Sequence, residues 1–225
     1  MNYKKRIALL QNKLRKKKHD AFLVSQPENR RYLSGYTVQD HGIGESAGSL
    51  LIPARGKPYL LTDFRFKEQA ENEAKEFQVL LYPKGLLALL ERLLTDHTIK
   101  KLAFESDYTL YSSAINMKKR GRKCGFDLIP TTNVVERMRL IKSKRELELI
   151  RQSVALNERV FQAVYPTLTP GMSETEIALA ILSEMRKQGS EGESFETIAA
   201  IGTASSLPHA VPGQKRLAKN DTLLI

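Results

Sequence analysis

The chain is poor in the residues from which redox, metal and nucleophilic sites are built. A single cysteine, Cys124, stands among 225 residues, which excludes an intramolecular disulfide and suits a reducing compartment. Lys123 and Gly125 flank it, and an idle thiol is expected there rather than a nucleophile. Only four histidines occur, at positions 19, 41, 97 and 209. They are scattered, with no His-x-His or His-x-x-x-His spacing, so no metal site is legible. No Gly-x-Ser-x-Gly elbow is present for a serine hydrolase, and no glycine-rich loop follows an expected strand to hold a nucleotide phosphate. Long apolar runs are missing too. Ile7-Ala-Leu-Leu10 is too short for a signal sequence, and Leu86-Leu-Ala-Leu-Leu90 is closed by Glu91, far short of a membrane span. The expectation is a soluble, cytoplasmic protein with no membrane partner.

What is abundant is positive charge, a net +11. Residues 1–31 alone hold ten Lys or Arg against Asp20 and Glu28, ten minus two giving +8. No aromatic residues interleave with these lysines, and Ile7, Leu10 and Leu14 recur beneath them at helical spacing. A solvated helix face explains the pattern better than a nucleic-acid surface. A second cluster, Lys118-Lys-Arg-Gly-Arg-Lys123, matches a nuclear-localisation pattern only weakly. It falls where a helix is expected to end at Gly121, and cations there complement the helix dipole.

A chain of this length holds one large or two modest domains, and its 41% hydrophobic and 27% charged content is that of a globular protein. The spacing predicts a helix over about 3–18, a strand at Ala21–Ser25 and a short helix opened by Pro27. A long polar loop follows over 34–49, then a hairpin of Leu50–Pro53 with Tyr59–Thr62 through Ala54-Arg-Gly-Lys-Pro. Thr62 or Asp63 caps the next helix. Strands near 77–82, 101–105 and 126–130 then alternate with helices near 85–94 and 108–119. This alternation predicts an α/β domain with a largely parallel sheet over residues 1–132. From 133 to 225 the pattern changes. Ser143-Lys-Arg-Glu146 and Ser173-Glu-Thr-Glu176 are capping boxes. Each opens a helix with an apolar stripe, the first carrying Leu147, Ile150, Val154, Phe161 and Val164.

The last stretch, 194–225, reads as two apolar strands around an irregular loop. Pro208 and Pro212 stiffen that loop and present His209, a side chain able to exchange a proton near neutral pH. Ser205 and Ser206 nearby suit turn formation better than nucleophilic attack. Thr222-Leu-Leu-Ile225 is an apolar strand with no turn or cap after it, as in a fragment.

The segments Ser194-Phe-Glu-Thr-Ile, Ser206-Leu-Pro-His-Ala-Val-Pro and Asn220-Asp-Thr-Leu-Leu-Ile resemble the first active-site segment of the creatinase-like "pita-bread" metallopeptidases. That family includes prolidase, aminopeptidase P and creatinase. Asn29-Arg-Arg-Tyr-Leu-Ser-Gly-Tyr and Leu60-Leu-Thr-Asp-Phe-Arg-Phe resemble signatures of its N-terminal domain, so the resemblance covers nearly the whole chain. It implies an α/β N-terminal domain followed by the first half of a pita-bread α+β catalytic domain. It also implies hydrolysis of Xaa-Pro bonds by two divalent ions (Mn, Co or Zn) that acidify a water and polarise the carbonyl. His209 is then a catalytic and substrate-binding residue. Asp40 and His41, on the 37–45 loop, are available to bind substrate in the neighbouring subunit of a homodimer. In relatives the strand matching Asp221–Ile225 runs directly into the first metal-binding aspartate, and the other ligands lie further on. The chain is therefore expected to be truncated before its metal ligands, to bind no metal and to be inactive by itself. Dipeptidase and aminopeptidase specificity both stay open. The alternatives are a metal-free, creatinase-like amidinohydrolase and a non-catalytic dimerising or partner-binding module.

Overall fold

The computed structural model describes residues 1–42 and 44–225. They divide into two compact units, Met1–Ile141 and Lys142–Ile225. In the first, α1 (Tyr3–Lys16) leads to β1 (Ala21–Val24), α2 (Pro27–Ser34) and the strands β2 (Ser49–Pro53) and β3 (Tyr59–Thr62). Then come α3 (Lys67–Glu73), β4 (Gln78–Leu81), α4 (Leu86–Asp96), β5 (Lys101–Glu105), α5 (Tyr111–Cys124), β6 (Asp127–Thr131) and α6 (Glu136–Arg139). The six strands form one sheet in the order β4-β3-β2-β1-β5-β6.

That sheet is mixed: three of its five pairings are parallel, as the alternation predicts, the expected hairpin gives one antiparallel pair, and β1–β2 is the departure. β2 runs antiparallel to both β1 and β3, while β1–β5, β5–β6 and β3–β4 are parallel. The short 54–58 connection forces the β2–β3 reversal, because parallel strands need a longer crossover. Both faces are covered, so the central strands are apolar at nearly every position. Phe22, Val24, Leu50, Ile52, Leu60 and Ala103 point to one face, where Ile7, Leu10 and Leu14 of α1 meet them. Ala21, Leu23, Leu51, Leu61, Leu102 and Phe104 point to the other, against Leu89, Leu90, Leu93 and Leu94 of α4 and Met117 of α5. The first helix thus buries the apolar stripe its spacing predicts and leaves its lysines to solvent.

Helix α5 does not end at Gly121. It continues to Cys124 and stops at Gly125, whose φ of +75° closes the last turn. Gly121 is buried, and a Cβ there would lie 2.5 Å from the Phe126 carbonyl oxygen. Its glycine therefore serves close approach of helix to strand, not termination.

Residues 133–141, expected with the second domain, pack on the first. Val135 is fully buried in the α1-side core, with Val134 and Met138 against it.

The second unit contains α7 (Lys144–Val164), α8 (Glu174–Lys187) and the short antiparallel pair β7 (Ala200–Ile201) and β8 (Leu223–Leu224). Both capping boxes form as expected. Ile177, Ala199 and Ile201 are its buried centre, with Leu168, Met172 and Leu223 packed around them. The apolar stripe of α7 is a different matter. Val164 is buried, but Leu147, Ile150, Val154 and Phe161 are 41–52% exposed. Periodicity shows which side of a helix is apolar, not what covers it. Among the described residues no helix is long and apolar enough to cross a membrane.

Candidate active site

His209 lies on an exposed turn between β7 and β8. Three layers of bonding hold that turn. A 3-10 turn over Gly202–Ser206 starts it, and there the Ser205 and Ser206 hydroxyls donate to the carbonyls of Gly202 and Thr203. These serines are turn formers, as their setting suggests. The first turn of α8 supplies the second layer. Thr175 Oγ1 donates to the Gly213 carbonyl at 3.0 Å, and the Glu174 and Thr175 amides donate to the carbonyls of Lys215 and Gly213. Lys215 Nζ in turn donates to the Ile201 carbonyl at 2.8 Å.

The third layer is one carboxylate. Glu174 is buried, and its two oxygens accept from the amides of Ile201 at 2.8 Å and Gly213 at 2.9 Å. Those amides mark the two ends of the His209 loop, so a single side chain sets its span. Glu174 is also the first residue of α8, where the helix dipole favours negative charge. Sequence reasoning missed it. The capping-box pattern draws attention to Glu176 three residues on, and nothing in the spacing distinguishes the glutamate beside the cap.

A model of the creatinase/prolidase N-terminal domain matches residues 6–141, and one of metallopeptidase family M24 matches residues 148–225. The chain belongs to the creatinase/prolidase family. An uncharacterized peptidase of Bacillus subtilis, YqhT, is 30% identical over 212 residues, covering 92% of this chain and 56% of the relative. Among solved structures, an Xaa-Pro dipeptidase from Bacillus anthracis superposes with a TM-score of 0.84 at 30% identity, over 99% of this chain and 59% of that one. An X-Pro aminopeptidase from Thermotoga maritima gives 0.78 at 30% identity, over 91% and 57%. The chain thus spans a little over half the length of these relatives.

The two creatinase-type signatures are structural in their contacts. Arg30, fully buried on α2, donates to the carbonyls of Gly48 and Val38, each at 2.6 Å, and to Asp40 Oδ1 at 2.8 Å. One guanidinium therefore fastens the long 35–48 loop from inside, a task that suits its planar fork. Asp40 also accepts from the Ala47 amide at 2.8 Å, and its side chain is 3% exposed. It is turned inward, whereas His41 is exposed. In the second signature, Thr62 donates to the Ala47 carbonyl at 2.6 Å. Asp63 caps the turn that follows and holds Arg65 at 2.8 Å, a pairing that lowers the Asp63 pKa.

The same domain holds a buried carboxylate that sequence reasoning also missed. Glu105, at the end of β5, accepts from the amides of Ser25 and Gln26 at 2.6 and 2.7 Å and from Asn29 Nδ2 at 2.7 Å. Burial outweighs these donors and pushes its pKa up to about 7. Asn29 bonds Glu136 as well and accepts from Arg139 Nε at 3.0 Å. These bonds tie the 133–141 segment to the first unit.

His209 thus belongs to the second unit, and Asp40 and His41 to the first. Among the described residues no three His, Cys, Asp or Glu converge to hold a metal ion.

Proposed function

We propose that a protein built on this chain hydrolyses Xaa-Pro peptide bonds, acting as an Xaa-Pro dipeptidase or aminopeptidase with two divalent ions (Mn, Co or Zn). The reading rests on one observation above all. The M24 match contains a stiff, exposed histidine on a loop clasped at both ends by Glu174. Likeness to an Xaa-Pro dipeptidase and an X-Pro aminopeptidase supports the substrate class and leaves the choice between them open. The metal ligands, on this reading, come from further sequence in a longer protein, and the 225-residue chain is inactive alone. Its own contribution is positioning. The His209 imidazole donates a hydrogen bond to the substrate carbonyl or to the oxyanion that forms from it.

The first unit is read as a non-catalytic domain of a cytoplasmic homodimer, a setting that keeps a lone thiol reduced. Arg30 and Asp40 hold its loop, and His41 is the loop's outward group, placed to contact substrate in the other subunit. The test is hydrolysis by the longer protein, loaded with manganese, of Ala-Pro and Gly-Pro against Ala-Ala. Cleavage of the proline dipeptides alone is expected. Equal cleavage of Ala-Ala, or metal-free hydrolysis of creatine instead, would overturn the assignment.

A further inference from the structure

The face of the sheet that receives α1 loosens only at β6, where Ile129 is half-buried while Phe22 and Ala103 beside it are fully buried. Phe22, Ala103 and Ile129 lie in register across β1, β5 and β6, and above them is an open trough of about 500 Å³. Leu14 of α1 borders it on one side and Val134 on the other, with Thr131, Thr132 and Asn133 beside Val134, so apolar and uncharged polar groups share its lining. The rim is cationic. Lys13 and Lys17 stand on the α1 side and Arg137 on the opposite side. No Asp or Glu lines the trough, and among the described residues none of these three cations has an ion-pair partner. Native surfaces usually intersperse charges of both signs, so three unmatched cations around one hollow are a distinct feature.

A second observation comes from His19, which borders the same trough. Its Nδ1 is buried and has no hydrogen-bond partner among the described residues. Buried polar atoms are nearly always satisfied, so this one calls for a partner, an ordered water or a ligand. One adjoining hollow shares His19 and holds Arg15, Lys18 and Arg55 with Asp20, and another shares Thr131, Asn133 and Val134 and holds Glu105, Asp107 and Glu136, so the positive field is local to the trough's own rim.

We propose that this trough binds a phosphate monoester with an apolar body: the phosphate meets Lys13, Lys17 and Arg137, and the body lies on Ile129, Pro130 and Val134, the apolar lining groups that are not buried. Three cations favour a dianion over a singly charged carboxylate, and a monoester carries about −1.5 to −2 at pH 7. Arginine supplies the bidentate geometry that phosphate oxygens accept. The apolar lining distinguishes this ligand from inorganic phosphate, because covering it adds about 25 cal/mol per Å². The site is independent of the peptidase reading and lies wholly within the first unit.

The probe is phenyl phosphate, titrated into the 225-residue chain and followed by backbone NMR and calorimetry. Saturable shifts confined to residues 13–19 and 129–137 are expected, with a Kd of about 1 mM or tighter. Lys17→Glu and Arg137→Glu, both at exposed positions, should each weaken binding at least about tenfold. Lys118→Glu makes the same change of net charge on α5 and should leave binding unaltered. Equal weakening by Lys118→Glu would overturn the site in favour of general charge attraction. Inorganic phosphate binding as tightly as the probe would overturn the apolar subsite. Equal binding of 3-phenylpropionate would overturn the dianion assignment, and no saturable binding would overturn the whole.

Discussion

Two buried glutamates carry much of the chemistry in this chain, and they behave differently. Glu174 uses both oxygens on backbone amides at the ends of the His209 loop. A glutamine there has one acceptor oxygen, so Glu174→Gln leaves one of those amides without its partner. The loss should be about 1–3 kcal/mol of stability. Denaturant titration reads it, and amide exchange should quicken at Ile201 or Gly213 before the first unit is affected. Glu105 instead holds a proton to about pH 7, against an ordinary 4.5, because burial disfavours its charge. Below 4.5 it is protonated whether the chain is folded or not. Between there and about 7 the unfolded chain releases the proton and the folded chain keeps it, so stability falls as pH rises through that window. Glu105→Gln should remove this slope. A variant whose stability tracks the wild-type pH profile from 4.5 to 7 would place the titration elsewhere. Neither residue was legible in the sequence. Each acts through partners at least 27 positions away, and spacing arguments see only near neighbours.

At the scale of elements, local signals are legible in the sequence, while what covers an apolar face is not. Capping boxes, the proline-opened α2 and the hairpin between β2 and β3 all depend on residues within a few positions, and all formed. Gly121 was misread because a glycine near a helix end has two explanations. Either the chain needs a left-handed turn, or a neighbour comes too close for a side chain. The second applies here. In most helix interiors Gly→Ala stabilises, but Gly121→Ala drives a methyl into the Phe126 carbonyl at 2.5 Å. It should destabilise by about 1–3 kcal/mol, and a thermal melt gives the sign directly. The stripe of α7 is where its periodicity places it, and its exposure is a separate matter that spacing does not address.

For the whole molecule, the alternation of strands and helices sufficed to recognise an α/β domain, and the resemblance carried the family. Strand direction was less legible. β2 is antiparallel to both neighbours because of what connects it, and connection length is hard to read where the 35–48 loop is organised by a buried arginine rather than by turn residues. The candidate site was legible only as its exposed tip. The two prolines mark His209 as stiffly presented and the family resemblance gives it a role, while the carboxylate that spans the loop is invisible to both.

The central claim is that His209 is held out to meet substrate, and kinetics of the longer, metal-loaded protein on Ala-Pro test it most directly. His209→Ala should lower kcat/KM about 10²–10³-fold, as loss of an oxyanion donor does. Because the side chain is exposed, the variant should unfold within about 2 °C of wild type. Unchanged kcat/KM in a folded variant would contradict the account and remove His209 from the reaction.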